Sequence, residues 1–164
     1  MGSRIKRSAI SAIGAIFLWT GAAHAESNCR EDALWLRGDW GSARFGVKVA
    51  DDDKERSRGL MFVEKMAMGT GMLFVYPRPQ DTNFWMKNTL IPLDIIFADH
   101  RGVVQTVHPD AVPGDLTPIP GGQGIQYVLE INGGLAKSMG IVPGSVFQHP
   151  AIAQDSAAWA CPAQ

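Results

Sequence analysis

Short apolar segments separated by turns rich in glycine and proline run through most of this chain. This pattern constrains its fold more than any other feature. In the middle and later parts of the chain the segments are residues 71–76, 82–88, 92–98, 103–108, 126–131 and 142–147. Each is long enough for a β-strand and too short for a typical helix. Many short strands with turns between them are typical of antiparallel sandwiches and barrels. The sequence therefore predicts a mostly β domain of compact antiparallel sandwich or barrel type.

A hairpin and two short helices complete the predicted secondary structure. Residues 33–37 and 43–50 flank a glycine-containing turn, and the second of these segments alternates between apolar and polar side chains, which indicates a hairpin. Acidic residues then favour a helix over residues 53–58, with Gly59 as its end. A second helical segment is predicted over residues 133–139.

The first 25 residues have the pattern of a secretory signal peptide. A positive start, an apolar run and a small-x-small cleavage site follow one another as Arg4, Lys6 and Arg7, then residues 9–19, then Ala23-His24-Ala25. The alternative is an N-terminal membrane anchor, but the apolar run is too short to span a bilayer comfortably. We therefore expect residues 1–25 to be removed and residues 26–164 to form one soluble domain that is periplasmic or secreted.

The charge of the chain argues against some partners. The formal net charge is -1, and without residues 1–25 the chain keeps 12 basic and 16 acidic residues. A mildly acidic domain has no global field that would attract nucleic acid or an anionic membrane. No segment of the mature chain is apolar enough to span a bilayer. The expected protein is a monomer without a nucleic-acid partner.

The two cysteines stand near the two ends of the expected mature domain, as Cys29 and Cys161. In an oxidising compartment a single pair of cysteines normally forms a disulfide, and domain ends often lie close in space. The alternative, a redox-active pair, needs a close C-x-x-C motif or an activated thiolate. Neither is visible, so we predict a structural disulfide.

Several ordered blocks of sequence resemble the prokaryotic family called domain of unknown function 192. The blocks are Arg58-Gly59-Leu60-Met61, Gly71-Met72-Leu73-Phe74, residues 84–89, residues 92–97, and Tyr127-Val128-Leu129-Glu130 followed by Gly133-Gly134. The resemblance covers about residues 44–147 and implies a compact, mostly β, jelly-roll-like fold that is often exported in bacteria. It implies no established activity, substrate or catalytic residue. The family usually has Gly-Asp near the last strand, where this chain has Gly144-Ser145.

Polar residues interrupt the apolar strands and are the candidate ligand-binding residues: Arg58, Trp85, Lys87, Asn88, Asp94 and Glu130. A polar group in apolar surroundings needs a partner, so each requires an explanation. The first hypothesis is that they converge on one partly exposed cleft, where Trp85 stacks on a small polar or carbohydrate ligand. The alternative is a buried network of ion pairs that has only a structural role.

Three classes of function remain open. The first is a periplasmic binding module for a small polar or carbohydrate ligand. The second is an envelope hydrolase or lyase in which Asp94 and Glu130 act as general acid and base. The third is a structural or partner-binding envelope protein without a small ligand. The histidines show no metal-ligand spacing and no phosphate-binding glycine loop is present, so we predict neither a metal nor a cofactor.

Overall fold

Two antiparallel strands, β1 (Ala33–Gly38) and β2 (Gly41–Ala50), form the predicted hairpin at the start of the domain. The computed structural model describes residues 29–163. The predicted signal peptide at residues 1–25 lies outside the described residues. Leu34 of β1 faces Phe45 of β2 in the register, and both side chains are fully buried. The alternation of the sequence thus places one face of the hairpin in the core.

The remaining elements follow in the order α1 (Asp53–Arg58), β3 (Thr70–Phe84), β4 (Leu93–Asp99), β5 (Val104–Ala111), β6 (Ile119–Asn132), α2 (Leu135–Met139) and β7 (Val146–Gln148). The strands form one curled sheet in the order β5-β4-β6-β3-β2-β1-β7. The predicted mostly β fold with two short helices is confirmed. One pair, β2 with β3, is parallel, and α1 lies in the connection between these two strands. In the described part of the chain, no helix is long and apolar enough to cross a membrane.

The two outermost strands of the sheet approach each other at one end. The Val104 N–H donates to the Ser145 carbonyl over 2.8 Å, and the Phe147 N–H donates to the Gly102 carbonyl over 2.8 Å. These bonds connect the start of β5 with β7, so the curled sheet encloses an interior like that of a barrel.

The curled sheet has a hydrophobic cluster on each face. The inner core lies inside the curl and includes Leu34, Phe45, Leu129, Ile131 and Phe147. The outer core lies on the opposite face and includes Leu60, Phe74, Met86, Ile95, Phe97 and Val128. Alternate residues of β6 enter alternate clusters, as period-2 side-chain geometry requires. The outer face is therefore covered by protein, not open to solvent along its whole length.

The second half of β3 pairs with the first half of β6, and together they form an arm that folds over the outer core. Phe84, at the end of β3, packs edge-on against Phe74 and Phe97, with ring centroids 5.0 and 5.5 Å apart. The opposite strand approaches Phe97 at Gly121, where an added Cβ would overlap the Phe97 ring. The glycine is required for this close approach.

We expect Gly121→Ala to lower the free energy of unfolding by about 1–3 kcal/mol, because the new methyl group overpacks the outer core. Urea unfolding followed by circular dichroism measures this change. Gly69→Ala is the matched control, because an added Cβ at Gly69 meets nothing within 4 Å. Equal stabilities for the two variants would show that the arm does not pack tightly on Phe97.

The predicted strand over residues 82–88 ends at Phe84, and the structure has a loop over residues 85–92. Backbone hydrogen bonds explain the change of direction. The Met86 N–H donates to the Asp115 carbonyl, and the Met86 carbonyl accepts from the Thr89 N–H. Asn88 has a φ of 56°, which is outside the strand region. The side chains of this loop therefore do not follow the alternation that the sequence pattern indicated.

A disulfide joins Cys29 and Cys161, with 5.6 Å between the two Cα atoms. The predicted pairing is confirmed. The bond spans 132 residues of sequence and ties the segment before β1 to the C-terminal tail. Other contacts hold the same ends together, since a ring nitrogen of His149 lies 2.9 Å from the Glu31 carbonyl and Gln148 donates to the Ala160 carbonyl.

The double variant Cys29→Ala, Cys161→Ala should lose about 2 kcal/mol of stability, at the low end of the usual range for a disulfide. The expected loss is small because the contacts of His149 and Gln148 remain in the variant. Chemical denaturation with and without reductant gives the measurement. Reductant should destabilise the wild-type protein and leave the double variant unchanged.

Candidate functional site

A pocket of about 470 Å³ lies on the outer face of the sheet, between α1 and the loop 85–92. We call it the outer pocket. β3 and β6 contribute its floor, the first helix contributes one wall, and the loop contributes the other. Charged and aromatic side chains line it: Asp53, Arg56, Arg58, Phe74, Tyr76, Phe84, Trp85, Lys87 and Glu130.

Glu130 lies at the floor of the outer pocket, and its side chain is the most unusual group there. On β6 it is flanked by Met72 of β3 and Ile95 of β4. The residue is 5% exposed, and its Oε2 atom is buried without a hydrogen-bond partner. Burial raises the pKa of Glu130 to about 8. The carboxyl group is therefore mainly protonated at neutral pH and can donate a hydrogen bond into the pocket.

Two cations stand at the wall of the outer pocket. Arg58 is the last residue of α1, and Lys87 belongs to the loop 85–92. Both side chains are exposed, and neither takes part in an ion pair within the described residues. Burial alone accounts for the raised pKa of Glu130, so the two cations do not neutralise its carboxyl group. Arg58 and Lys87 thus line the same pocket as Glu130 without forming an ion pair with it.

The first helix is held against the sheet by Arg56. Its guanidinium forms a 2.6 Å ion pair with Asp53, donates to the Val75 carbonyl over 2.8 Å, and lies 5.4 Å from the Tyr76 ring centroid. The Asp52 side chain accepts from the Glu55 N–H and caps the same helix. These contacts fix the position of α1, and Arg58 is the residue at its C-terminal end.

Aromatic side chains give the outer pocket an apolar surface. Trp85 is 50% exposed, and the Lys87 ammonium lies 5.1 Å from its ring centroid. Tyr76 is half-buried. Burial raises the pKa of Tyr76, the charge of Arg56 opposes that shift, and Glu130 adds to it. An exposed indole beside hydrogen-bonding groups can stack on an apolar ligand face while those groups bind its polar atoms.

Asn88 lies beside the outer pocket and does not line it. Its carbonyl accepts from the Phe62 N–H over 2.9 Å, and its side-chain nitrogen lies 3.8 Å from the Met61 sulfur. Asparagine tolerates the left-handed backbone conformation seen at this position better than most residues. Asn88 therefore holds two loops together.

Asp94 lies on the other face of the sheet from Glu130. In the pairing of β4 with β6, Asp94 is opposite Ile131, while Glu130 is opposite Ile95. Asp94 is fully buried, and its carboxylate accepts from the backbone N–H groups of Asp110, Gly134 and Ala136 over 2.7, 2.9 and 2.6 Å.

This placement contradicts the pairing of Asp94 with Glu130 as acid and base, because the sheet itself separates the two carboxyl groups. It also places Asp94 outside the common cleft and outside a network of ion pairs, since backbone N–H groups occupy its carboxylate oxygens. Arg58, Trp85, Lys87 and Glu130 are the candidate residues that do share one pocket.

Arg56 and Tyr76 line the outer pocket and were not singled out from the sequence. Arg56 reaches it because the parallel pairing of β2 with β3 carries α1 across the outer face, whereas Tyr76 lies on β3 itself. A parallel connection joins segments that are not neighbours along the chain. The local sequence around Arg56 reads as an ordinary solvated helix, so it contained no signal of this role.

A second pocket of about 710 Å³ lies on the other side of α1, against β2 and the start of β3. It shares Arg58, Leu60 and Met61 with the outer pocket. Its lining includes no buried side-chain polar atom without a partner among the described residues. Residues 29–163 contain no cluster of three or more histidine, cysteine or acidic side chains suited to a metal ion. The outer pocket is the stronger candidate because Glu130 points into it.

The fold and the pocket together define a single-sheet, barrel-like β domain with a polar pocket on its outer face. Residues 36–149 match the sequence profile of the DUF192 family, described as "Uncharacterized ACR". The chain belongs to this family, as the sequence resemblance predicted. No curated protein matches it.

Two solved structures are similar to this chain. A protein of unknown function from Novosphingobium aromaticivorans is 39% identical, with a TM-score of 0.70, and the match covers 77% of this chain and 90% of that protein. A proposed transcription regulator from Sinorhizobium meliloti is 33% identical, with a TM-score of 0.71, and the match covers 75% of this chain and 96% of that protein. The fold is therefore shared, and the function of neither relative is established by these descriptions.

Proposed function

We propose that this protein is an exported binding module that holds a small polar, carbohydrate-like ligand in the outer pocket. The observation that carries the proposal is the Oε2 atom of Glu130, which is buried at the pocket floor without a partner. An unsatisfied buried polar atom costs about 1–3 kcal/mol. A ligand hydroxyl that accepts or donates a hydrogen bond there would offset that cost.

The shape and chemistry of the pocket support a hydroxylated ligand. Its volume of about 470 Å³ is within the range of small-molecule sites. Trp85 offers a half-exposed ring for the apolar face of a sugar. Arg58 and Lys87 supply hydrogen-bond donors, while Glu130 can accept as well as donate. These are the groups that a polyhydroxylated molecule requires.

Export is proposed on two supports. The first is the N-terminal sequence pattern, and the second is the disulfide between Cys29 and Cys161, a bond that persists in oxidising compartments. A role in transcription, by analogy with the Sinorhizobium meliloti relative, has less support. A DNA-binding domain normally carries a basic patch, whereas the formal net charge of this chain is -1.

A thermal-shift screen of the purified protein against sugars, sugar acids, sugar phosphates, amino sugars and cell-wall fragments tests the proposal. A true ligand should raise the melting temperature and change the tryptophan fluorescence. Trp85→Ala should weaken its binding about tenfold, which corresponds to one stacking contact of about 1.4 kcal/mol.

Leu90→Ala is the matched control for that experiment. Leu90 is 52% exposed in the same loop and does not line the outer pocket. Its substitution should leave ligand affinity unchanged. A ligand that binds equally well to the wild-type protein and to Trp85→Ala, or a screen in which no compound raises the melting temperature, would refute the proposal.

A further inference from the structure

The outer pocket carries two positive charges for which residues 29–163 supply no counterion within ion-pair distance. Its charged lining residues are Asp53, Arg56, Arg58, Lys87 and Glu130. Asp53 and Arg56 neutralise each other through their 2.6 Å ion pair. Glu130 is mainly uncharged at neutral pH because burial raises its pKa to about 8. Arg58 and Lys87 remain, so the pocket lining has a net charge near +2 in a chain whose formal net charge is -1.

We propose that the ligand of the outer pocket is an anion, a small hydroxylated molecule with one carboxylate or phosphate group, which Arg58 and Lys87 bind while the carboxyl group of Glu130 donates a hydrogen bond to it. This inference rests on the proposed function and names the chemical class of its ligand. Carboxylate and phosphate share the feature that matters, an anionic group with several acceptor oxygens.

The separation of Glu130 from the two cations favours an anion that bridges them. Neither cation forms an ion pair with the Glu130 carboxyl group among residues 29–163, so both charges are available to a ligand. A ligand anion can therefore occupy the space between the protonated acid at the floor and the cations at the wall. Hydrogen bonds of this kind, in which one member is charged, are about twice as strong as neutral ones.

A cationic ligand fits the same pocket less well. It would require Glu130 to ionise in a site where burial disfavours the charged form, and Arg58 and Lys87 would repel it. A neutral sugar would accept hydrogen bonds from both cations and leave their charges without a counterion. The charges of the lining thus predict that anionic ligands bind most tightly, neutral ligands less tightly and cationic ligands most weakly.

The groups around Glu130 determine how pH should act on binding. Those that line the pocket or flank Glu130 in the sheet are uncharged Met72 and Ile95, the phenol of Tyr76, the Asp53–Arg56 pair, and the cations Arg58 and Lys87. As pH rises past about 8, Glu130 loses its proton and can no longer donate a hydrogen bond to the ligand. The new carboxylate then repels a bound anion. Affinity for an anion should therefore fall in alkaline solution.

Four compounds built on one sugar ring test the charge preference: D-glucose, D-glucuronate, D-glucose 6-phosphate and D-glucosamine. Titration calorimetry at pH 6.5 should show at least one of the two anions binding tenfold or more tightly than glucose, with glucosamine weakest. The double variant Arg58→Gln, Lys87→Gln should abolish that difference, because it lowers the affinity for the anions far more than the affinity for glucose. Lys137→Gln, an exposed cation on α2, is the control and should behave as the wild type. Comparison of the two anions distinguishes a carboxylate ligand from a phosphate ligand.

A second measurement separates this inference from the proposed function. Inorganic phosphate and acetate are titrated while NMR follows the carboxyl carbon of Glu130. Bound anion should raise the pKa of Glu130 further, and the double variant should show no response. If glucose binds as well as both anions and neither ion moves the resonance, the proposed function stands and the anion inference is wrong. If the ions bind and no sugar does, the anion site stands and the carbohydrate ligand is wrong.

Discussion

Replacing Glu130 with glutamine should remove a large pH dependence from the stability of this protein. The folded pKa of about 8 lies well above the ordinary value of 4.5. One unit of difference corresponds to about 1.4 kcal/mol, so the full difference amounts to roughly 4–5 kcal/mol of unfolding free energy. Glutamine keeps the size and the polarity of the side chain and cannot ionise.

The direction of this effect follows from proton binding. Between pH 4.5 and about 8 the folded protein keeps the proton on Glu130, whereas the unfolded chain has released it. The folded state therefore binds more protons, and its stability falls as pH rises through that window. The contribution is fully present below pH 4.5 and fully lost above about pH 8. Glu130→Gln should gain stability relative to the wild type as pH rises.

Urea unfolding at pH 5 and pH 8.5 measures the difference. Glu64→Gln is the control, because Glu64 is exposed on the loop after α1. Its pH dependence should match that of the wild type. If wild type and Glu130→Gln lose stability equally between the two pH values, the carboxyl group of Glu130 is solvated and is not buried at the base of the outer pocket.

The elements that the sequence predicted correctly are those fixed by neighbouring residues. The β1–β2 hairpin, α1 with its acidic residues and its end at Gly59, and α2 all depend on local turn and capping chemistry. The parallel pairing of β2 with β3 depends on contacts between segments that the connection around α1 separates. No local pattern encodes that choice, so the sequence could not reveal it.

The candidate site was predictable to the extent that polarity inside an apolar strand is informative. Glu130 was found in this way, and it lies on the opposite face of β6 from Leu129 and Ile131. The same reasoning selected Asp94, because a buried carboxylate that serves backbone N–H groups has the same sequence signature as one that serves a ligand. Strand register, which decides the face on which each carboxyl group lies, comes only from the three-dimensional structure.

Asp94 has a structural role that its neighbours explain. The first residues of α2 need acceptors for their free N–H groups, and Gly134 at the N-cap has no side chain to provide one. Asp94, on β4, accepts from Gly134 and Ala136 and also from Asp110 at the end of β5. One carboxylate thus joins a central strand, an edge strand and a helix start.

Asp94→Ala should therefore lower the free energy of unfolding by about 3–5 kcal/mol, since it leaves three N–H donors without their acceptor in the folded protein. Asp94→Asn should have a smaller effect of about 1–3 kcal/mol. Its remaining oxygen can occupy the Oδ1 position and accept from Asp110 and Gly134. Its amide then meets the Ala136 N–H, donor against donor, where the carboxylate accepted over 2.6 Å.

Chemical denaturation gives the stabilities, and amide hydrogen exchange locates the damage. Exchange should accelerate at Ala136 in Asp94→Asn, and also at Asp110 and Gly134 in Asp94→Ala. Asp81→Asn is the control, because Asp81 is exposed on the β3 arm. Both Asp94 variants should keep the ligand affinity of the outer pocket under conditions in which they remain folded, because the sheet lies between Asp94 and that pocket. A variant of Asp94 that keeps full stability and loses ligand binding would show that Asp94 takes part in binding. It would contradict the structural role of Asp94 on the inner face of the sheet.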